Sequence, residues 1–387
     1  MLIKKKANIN HQGDIFTVLI TITVGYAFLL LMPCLIGGLV DQLEFSTKQA
    51  GWVASAQMFG MMIGALCSYE LIRRFNIHTL LLFCSGLIVL MDIFSGFTIT
   101  LKSLVFFRLV SGIGAGMTTG VALSTISDMD QPERIFSMLL CFQFVFGAFG
   151  LAITPFILDM FGMSAIFFTL AGLSIVVIAL ILKYPFKSRT IRVIRKYDSK
   201  SLNLTVLLTL SSLLIMYIAN NALWAYLDRI GVSNGLLVET VGMILGISML
   251  SGIVGGVLAY FIEIKFGRAI PAGIGLTGMI VGTYLLTGQF SKTTFLISAC
   301  LLNGSLSFTV VYYLGLCAHL DPSGLTLTLA NFMIAAGVTL GPFMGTFIIG
   351  NNEYGNLFIV SFMGFIICFL MIEGAILTDK FAMKERE

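Results

Sequence analysis

Two charged side chains stand inside long apolar stretches of this chain: Asp92 and Arg108. A charge in hydrocarbon costs at least a few kcal/mol unless it is paired or hydrated, so both residues demand a role. The turn between their segments falls near Thr100, and the two positions are equally far from it. At ~1.5 Å of rise per residue they reach the same depth, which allows an ion pair between adjacent helices. Such a pair has two uses. It neutralises a structural charge, or it forms a carboxylate that takes up a proton when Arg108 moves away. Other chemistry has no residues to carry it. No His, Cys, Asp or Glu grouping has metal-ligand spacing, no nucleophile stands near a base, and Gly112-x-Gly114-x-Gly116 lies inside an apolar helix, where it is not a phosphate loop. Neither a metal nor a cofactor nor an enzymatic activity is expected.

The elements that position these residues are membrane-length helices. The 387 residues are 58% hydrophobic and 11% charged, against ~25% charged for soluble chains. Twelve segments are long enough to span a bilayer: 15–40, 48–71, 78–99, 101–126, 134–158, 163–183, 204–227, 236–262, 269–290, 293–317, 324–349 and 356–377. The expected fold is therefore all-α, with the lipid bilayer as its solvent. The 40 glycines suit close helix packing. The seven cysteines all fall in apolar segments, are odd in number, and read as packing residues. The basic start, Met1 to His11, leads straight into the first apolar segment, which reads as a retained helix. The net charge of +4 follows the membrane and gives no sign of a nucleic-acid partner.

Residues 184–203 form the one polar stretch, carrying Lys187, Arg189, Arg192, Arg195, Lys196 and Lys200 against Asp198. They divide the chain into 1–183 and 204–387, two halves of six helices. With the N-terminus inside, eighteen of the 23 Lys and Arg lie on the cytoplasmic side. Four (Lys48, Lys102, Arg229 and Lys292) lie in outer loops, and Arg108 lies within a helix. This bias places both termini in the cytoplasm. The halves also resemble each other at an offset of 191 residues. Gly51, Met58, Gly64, Tyr69 and Phe75 recur as Gly242, Met249, Gly255, Tyr260 and Phe266. An apolar helix repeated in this way marks a transporter built from two pseudo-symmetric bundles.

Three local patterns add to this. Arg108-Leu-Val-Ser-Gly112-Ile-Gly114-Ala-Gly116 is an Arg followed by a glycine-rich step. The loop after the second helix carries Glu70, Arg73, Arg74, Phe75 and Asn76, and its counterpart in the second half reads Lys265-Phe266-Gly267-Arg268. A Gly-x-x-x-x-Pro element occurs at Gly150 and Pro155, and Gly341-Pro342 follows Gly337 at the same spacing. Together with twelve helices and a basic central loop, these patterns resemble the major facilitator superfamily over nearly the whole chain. The resemblance implies two pseudo-symmetric six-helix bundles and no enzymatic activity. It associates the helix-4 Arg with proton coupling, and makes Glu70, Arg73, Arg74, Lys265 and Arg268 a cytoplasmic gating loop. Gly150, Pro155, Gly341 and Pro342 become helix pivots. The sequence departs from the family at two places. Arg73 and Asn76 occupy the usual Asp and Gly positions of the loop. The antiporter-type glycine-proline signature fits helix 11 better than helix 5.

In that family six helices line the central path, and on them lie the uncharged polar residues near mid-membrane: Tyr26, Gln57, Gln143, Asn220, Asn221, Trp224, Asn303 and Asn331. Amides and aromatics suit a small amphipathic organic solute, although each taken singly serves equally well as an interhelical hydrogen bond. The expected protein is a monomeric, proton-coupled secondary transporter of the bacterial cytoplasmic membrane, working by alternating access. The alternatives are a multidrug or metabolite (for example siderophore) exporter and, from another class, a non-transporting membrane sensor or scaffold.

Overall fold

The computed structural model describes residues 12–98, 100–126, 132–184, 204–262, 265, 267–288, 290–320, 325–349 and 354–384. The basic stretch 185–203 lies outside them. The described residues are helical: α1 Gln12–Gly25, α2 Ala27–Leu30, α3 Met32–Leu43, α4 Thr47–Arg74, α5 Ile77–Phe97, α6 Leu101–Ile126, α7 Pro132–Lys183, α8 Leu204–Ser233, α9 Val238–Ile262, α10 Ala269–Leu285, α11 Lys292–Leu320, α12 Leu325–Ile348 and α13 Gly355–Lys384. Among the described residues nine helical stretches are long and apolar enough to cross a membrane, and three shorter apolar helices accompany them. Leu, Phe and Ile side chains stand exposed along these helices, as an integral membrane protein requires.

One boundary differs from the sequence expectation, and it does so for a local reason. Segment 15–40 is not one helix but α1, α2 and α3, interrupted at Tyr26 and Leu31, whose φ/ψ are −91/−1 and −96/1. Pro33 sits in the first turn of α3, where it lacks an N–H and cannot continue a helix from Leu29. Segments 134–158 and 163–183 are two helices, as expected: the stretch numbered α7 breaks at Gly162, whose φ is 74 and ψ −179. Only glycine adopts that backbone freely, and the helix turns there.

By contact the chain forms two units. One holds Met1–Phe45, Val53–Gly147 and Phe156–Val193; the other holds Ser46–Trp52, Ala148–Pro155 and Ile194–Glu387. In the first, α5 packs on α6 and α1 on α6. Val18, Leu19 and Ile22 of α1 meet Ala122 and Ile126 of α6 and Ile135 and Leu139 of α7 in one buried cluster. In the second, α8 packs on α12 and α13, α9 on α11, and α10 on α11 and α13.

The helix crossings follow the repeat. A Cβ at Gly64 of α4 would overlap the Ile113 carbonyl of α6, and a Cβ at Gly255 of α9 would overlap the Gly304 carbonyl of α11. Gly60 meets Leu109, and Ser251 Oγ donates to the Cys300 carbonyl at 2.8 Å. Gly112 lies against the Gln57 carbonyl, and Asn303 Nδ2 donates to Ser248 Oγ at 3.0 Å. In each comparison both partners move by the same 191 residues, so the α4–α6 and α9–α11 crossings share one register. Small residues hold this register because only they let two backbones approach so closely.

Candidate functional site: a sealed ion pair in the first unit

The α5–α6 hairpin builds the site. α5 ends at Phe97 and α6 begins at Leu101, so residues equally distant from this short connection face each other across the helix pair. Arg108 Nη2 lies 2.5 Å from Asp92 Oδ1, and the two side chains are 1% and 3% exposed. The same carboxylate oxygen accepts from Ser111 Oγ at 3.0 Å. The guanidinium also donates to Ser95 Oγ through Nε (3.1 Å) and Nη2 (2.7 Å), and Nη2 reaches the Met91 carbonyl at 3.3 Å. Ser95 Oγ in turn donates to Met91 O at 2.7 Å. Two rings close the cage: Phe167 of α7 and Phe28 of α2 lie with centroids 4.9 and 5.8 Å from the guanidinium carbon. Their negative faces stabilise a cation that has no bulk water. A buried charge persists only with this many partners.

The second unit makes the equivalent crossing without charge. At the 191-residue offset Asp92 corresponds to Thr283 and Arg108 to Ala299. Thr283 Oγ1 donates to its own helix at Met279, 2.9 Å away, and neighbouring Ser298 Oγ donates across to the Gly282 carbonyl at 2.6 Å. Such a hairpin therefore packs without an ion pair.

The remaining polar residues are distributed over both units. Gln57 is 2% exposed and lines a cavity of about 20 Å³ beside the ion pair, together with Ser174. Tyr26 sits at the α1–α2 break, hydrogen-bonded to Thr119. Gln143 is half-buried on α7. In the second unit Asn221 Nδ2 donates to Tyr217 O at 2.8 Å within α8, Asn220 and Trp224 are buried, and Asn331 is exposed. Asn303 joins α11 to α9 through Ser248.

At the loops, Arg74 and Glu70 pair at 2.8 Å within α4, both well exposed. Such an i,i+4 pair contributes about 0.3–0.5 kcal/mol. Lys265 Nζ donates to the Phe261 carbonyl at 3.1 Å, satisfying the end of α9. Arg268 opens α10. The Arg73 side chain lies outside the described set. Of the proline elements, Pro155 lies within α7, where Thr154 Oγ1 donates to the Gly150 carbonyl at 2.7 Å, and Pro342 lies within α12, its carbonyl 3.4 Å from Tyr226 Oη.

One charged pair is missing from the sequence reading. Arg229, expected in an outer loop, belongs to α8, which continues to Ser233. It is 6% exposed and bonds Asp228 Oδ2 through Nε (3.1 Å) and Nη2 (2.8 Å). The adjacent Asp-Arg at the end of an apolar helix was the available signal, since a neutralised pair continues a helix that a lone charge would end. Tyr354, next to α13, lies near this pair and hydrogen-bonds Thr47, and burial pushes its phenol above the usual tyrosine range.

Comparison with known proteins places this geometry. A mutant of the nucleoside transporter NupG superposes with a TM-score of 0.76 at 12% identity, covering 94% of this chain and 99% of that one. The xylose transporter XylE from E. coli, in a partially occluded inward-open conformation, gives 0.69 at 14% identity, covering 93% and 99%. A D-xylose-proton symporter gives 0.72 at 15%, covering 94% and 96%. These likenesses establish the fold. In sequence, the chain is similar to the 4-hydroxybenzoate transporter PcaK of Acinetobacter baylyi, 38% identical over 116 residues. That match covers 28% of this chain and about a quarter, 24%, of that relative. The Major Facilitator Superfamily model matches residues 17–318. The chain thus belongs to the Major Facilitator Superfamily, a family of secondary transporters of small solutes rather than of enzymes.

Proposed function

We propose that this protein is a proton-coupled secondary transporter that moves a small amphipathic organic solute by alternating access. Its two six-helix halves, 1–183 and 204–387, are joined by a cytoplasmic linker at 184–203, making twelve passes in all. The recurring α4–α6 and α9–α11 register supports the two-fold repeat. The protein works as a monomer in the bacterial cytoplasmic membrane with both termini inside, as the excess of Lys and Arg on that side supports.

One observation carries the coupling. The Asp92–Arg108 pair is sealed within a crossing that the second unit makes with Thr283 and Ala299. A packing role does not require two buried charges whose desolvation roughly cancels their attraction. A role in coupling does, because a carboxylate that loses its cation during the transport cycle becomes a proton acceptor. The part-length likeness to a 4-hydroxybenzoate transporter supports a solute with an apolar ring and a few polar groups.

The test is uptake and efflux in proteoliposomes under an imposed pH gradient, across a panel that includes 4-hydroxybenzoate, nucleosides and xylose. Accumulation against a gradient, abolished by an uncoupler, is expected for one solute class. Movement that the uncoupler leaves unchanged would refute the coupling, and no movement of any solute would favour a sensor or scaffold.

A further inference from the structure

We propose that the cavity beside the ion pair is a binding site for a single water molecule, held by Gln57 and Ser174. Gln57 comes from α4 and Ser174 from α7, and each is 2% exposed. Among the described residues no donor reaches Gln57 Oε1, and Ser174 Oγ has no partner either. Both residues line the same cavity as Asp92, Arg108 and Ser111. Two buried polar atoms from separate helices, converging on one space, are what an internal water satisfies.

The size and charge of the space select the occupant. Its volume is about 20 Å³, and one water needs roughly 10–15 Å³ by the same kind of measure, so the space admits one water. Asp92 is already neutralised by Arg108 at 2.5 Å. A cation would meet the guanidinium and an anion the carboxylate, so a neutral dipole fits best. Apolar cavities stay dry, but this one is edged by a carboxamide, two hydroxyls and an ion pair. Gln57 is then a water ligand inside the first unit rather than a contact for the transported solute. This site stands whether or not the pair carries protons.

The experiment uses the full chain in nanodiscs. A structure at a resolution that shows ordered water should have one density peak within hydrogen-bonding distance of both Gln57 Oε1 and Ser174 Oγ. In parallel, thermal unfolding is measured for Gln57→Met, Ser174→Ala and the double variant. If a water bridges the two, each single variant strands the other partner and lowers Tm by about 2 °C, and the double variant loses less than the two losses combined. A dry cavity gives the opposite sign, because each variant then removes an unsatisfied polar atom and raises Tm, additively. That result, with an empty peak position, overturns the proposal. Ser174→Ala removes a single oxygen, so the comparison survives even if Gln57→Met folds poorly.

Discussion

At the scale of single residues, Arg108 has the most partners to lose. It pairs with Asp92, bonds Ser95 and the Met91 carbonyl, and lies against Phe28 and Phe167. Arg108→Ala strands a buried carboxylate and opens a cavity at once. We expect about 3–5 kcal/mol of lost stability, from the usual cost of breaking a buried pair, and loss of transport. Asp92→Asn leaves the guanidinium its serine, carbonyl and ring contacts and should cost less in folding. The double variant Asp92→Asn/Arg108→Gln separates structure from coupling, because no buried charge is left unpaired. If the pair couples protons, this variant folds, keeps downhill solute exchange and loses pH-driven accumulation. Full accumulation in the double variant would make the pair structural. On the solute side, Asn221→Ala and Trp224→Ala should weaken binding more than expression if α8 lines the path. Unchanged affinity in well-folded variants would retire α8 as a site.

At the scale of elements, the crossing glycines set how close the helices come. A Cβ at Gly64 would strike the Ile113 carbonyl, and one at Gly255 the Gly304 carbonyl, whereas a Cβ at Gly86 or Gly256 meets nothing within 4 Å among the described residues. Gly64→Ala and Gly255→Ala should each destabilise by roughly 1–3 kcal/mol, as overpacking of a tight contact does. Gly86→Ala and Gly256→Ala should be neutral or slightly stabilising, since Ala favours helix over Gly. Thermal melting of the four purified variants checks this. Equal Tm values across the set would mean the crossings tolerate separation and the shared register has no energetic basis.

At the scale of the whole molecule, the prediction is topological. Lys265 and Lys292 are both exposed, on loops that the charge bias assigns to opposite faces of the membrane. With the seven native cysteines replaced, Lys292→Cys should react with an impermeant maleimide in intact cells, and Lys265→Cys only after permeabilisation. The reverse pattern would invert the protein in the membrane and with it the direction assigned to every loop. The same assay at Ser188 would place the basic stretch 184–203, whose residues beyond Tyr184 lie outside the described structure.

The sequence by itself determined the membrane class and most helix positions, because apolar length is a local property that needs no partner. The span 101–126 matches α6 to the residue. It also made the approach of Asp92 to Arg108 legible, since one short turn fixes the depth of both. The break at Gly162 falls between two spans that the sequence separates, whereas the effect of Pro33 was readable only once the backbone was placed. What the tertiary structure decided involves residues far apart in the chain. Gln57 and Ser174, far apart in the chain, line one cavity beside the ion pair because α4, α5, α6 and α7 approach one another there. The bond of Asn303 to Ser248 depends on the α9–α11 crossing. Arg229 lies beyond the expected span 204–227, yet α8 continues past it and pairing with Asp228 carries it into the fold. In each case helicity follows from composition within one segment, while the partner of a buried polar group depends on which helices pack together and in what register.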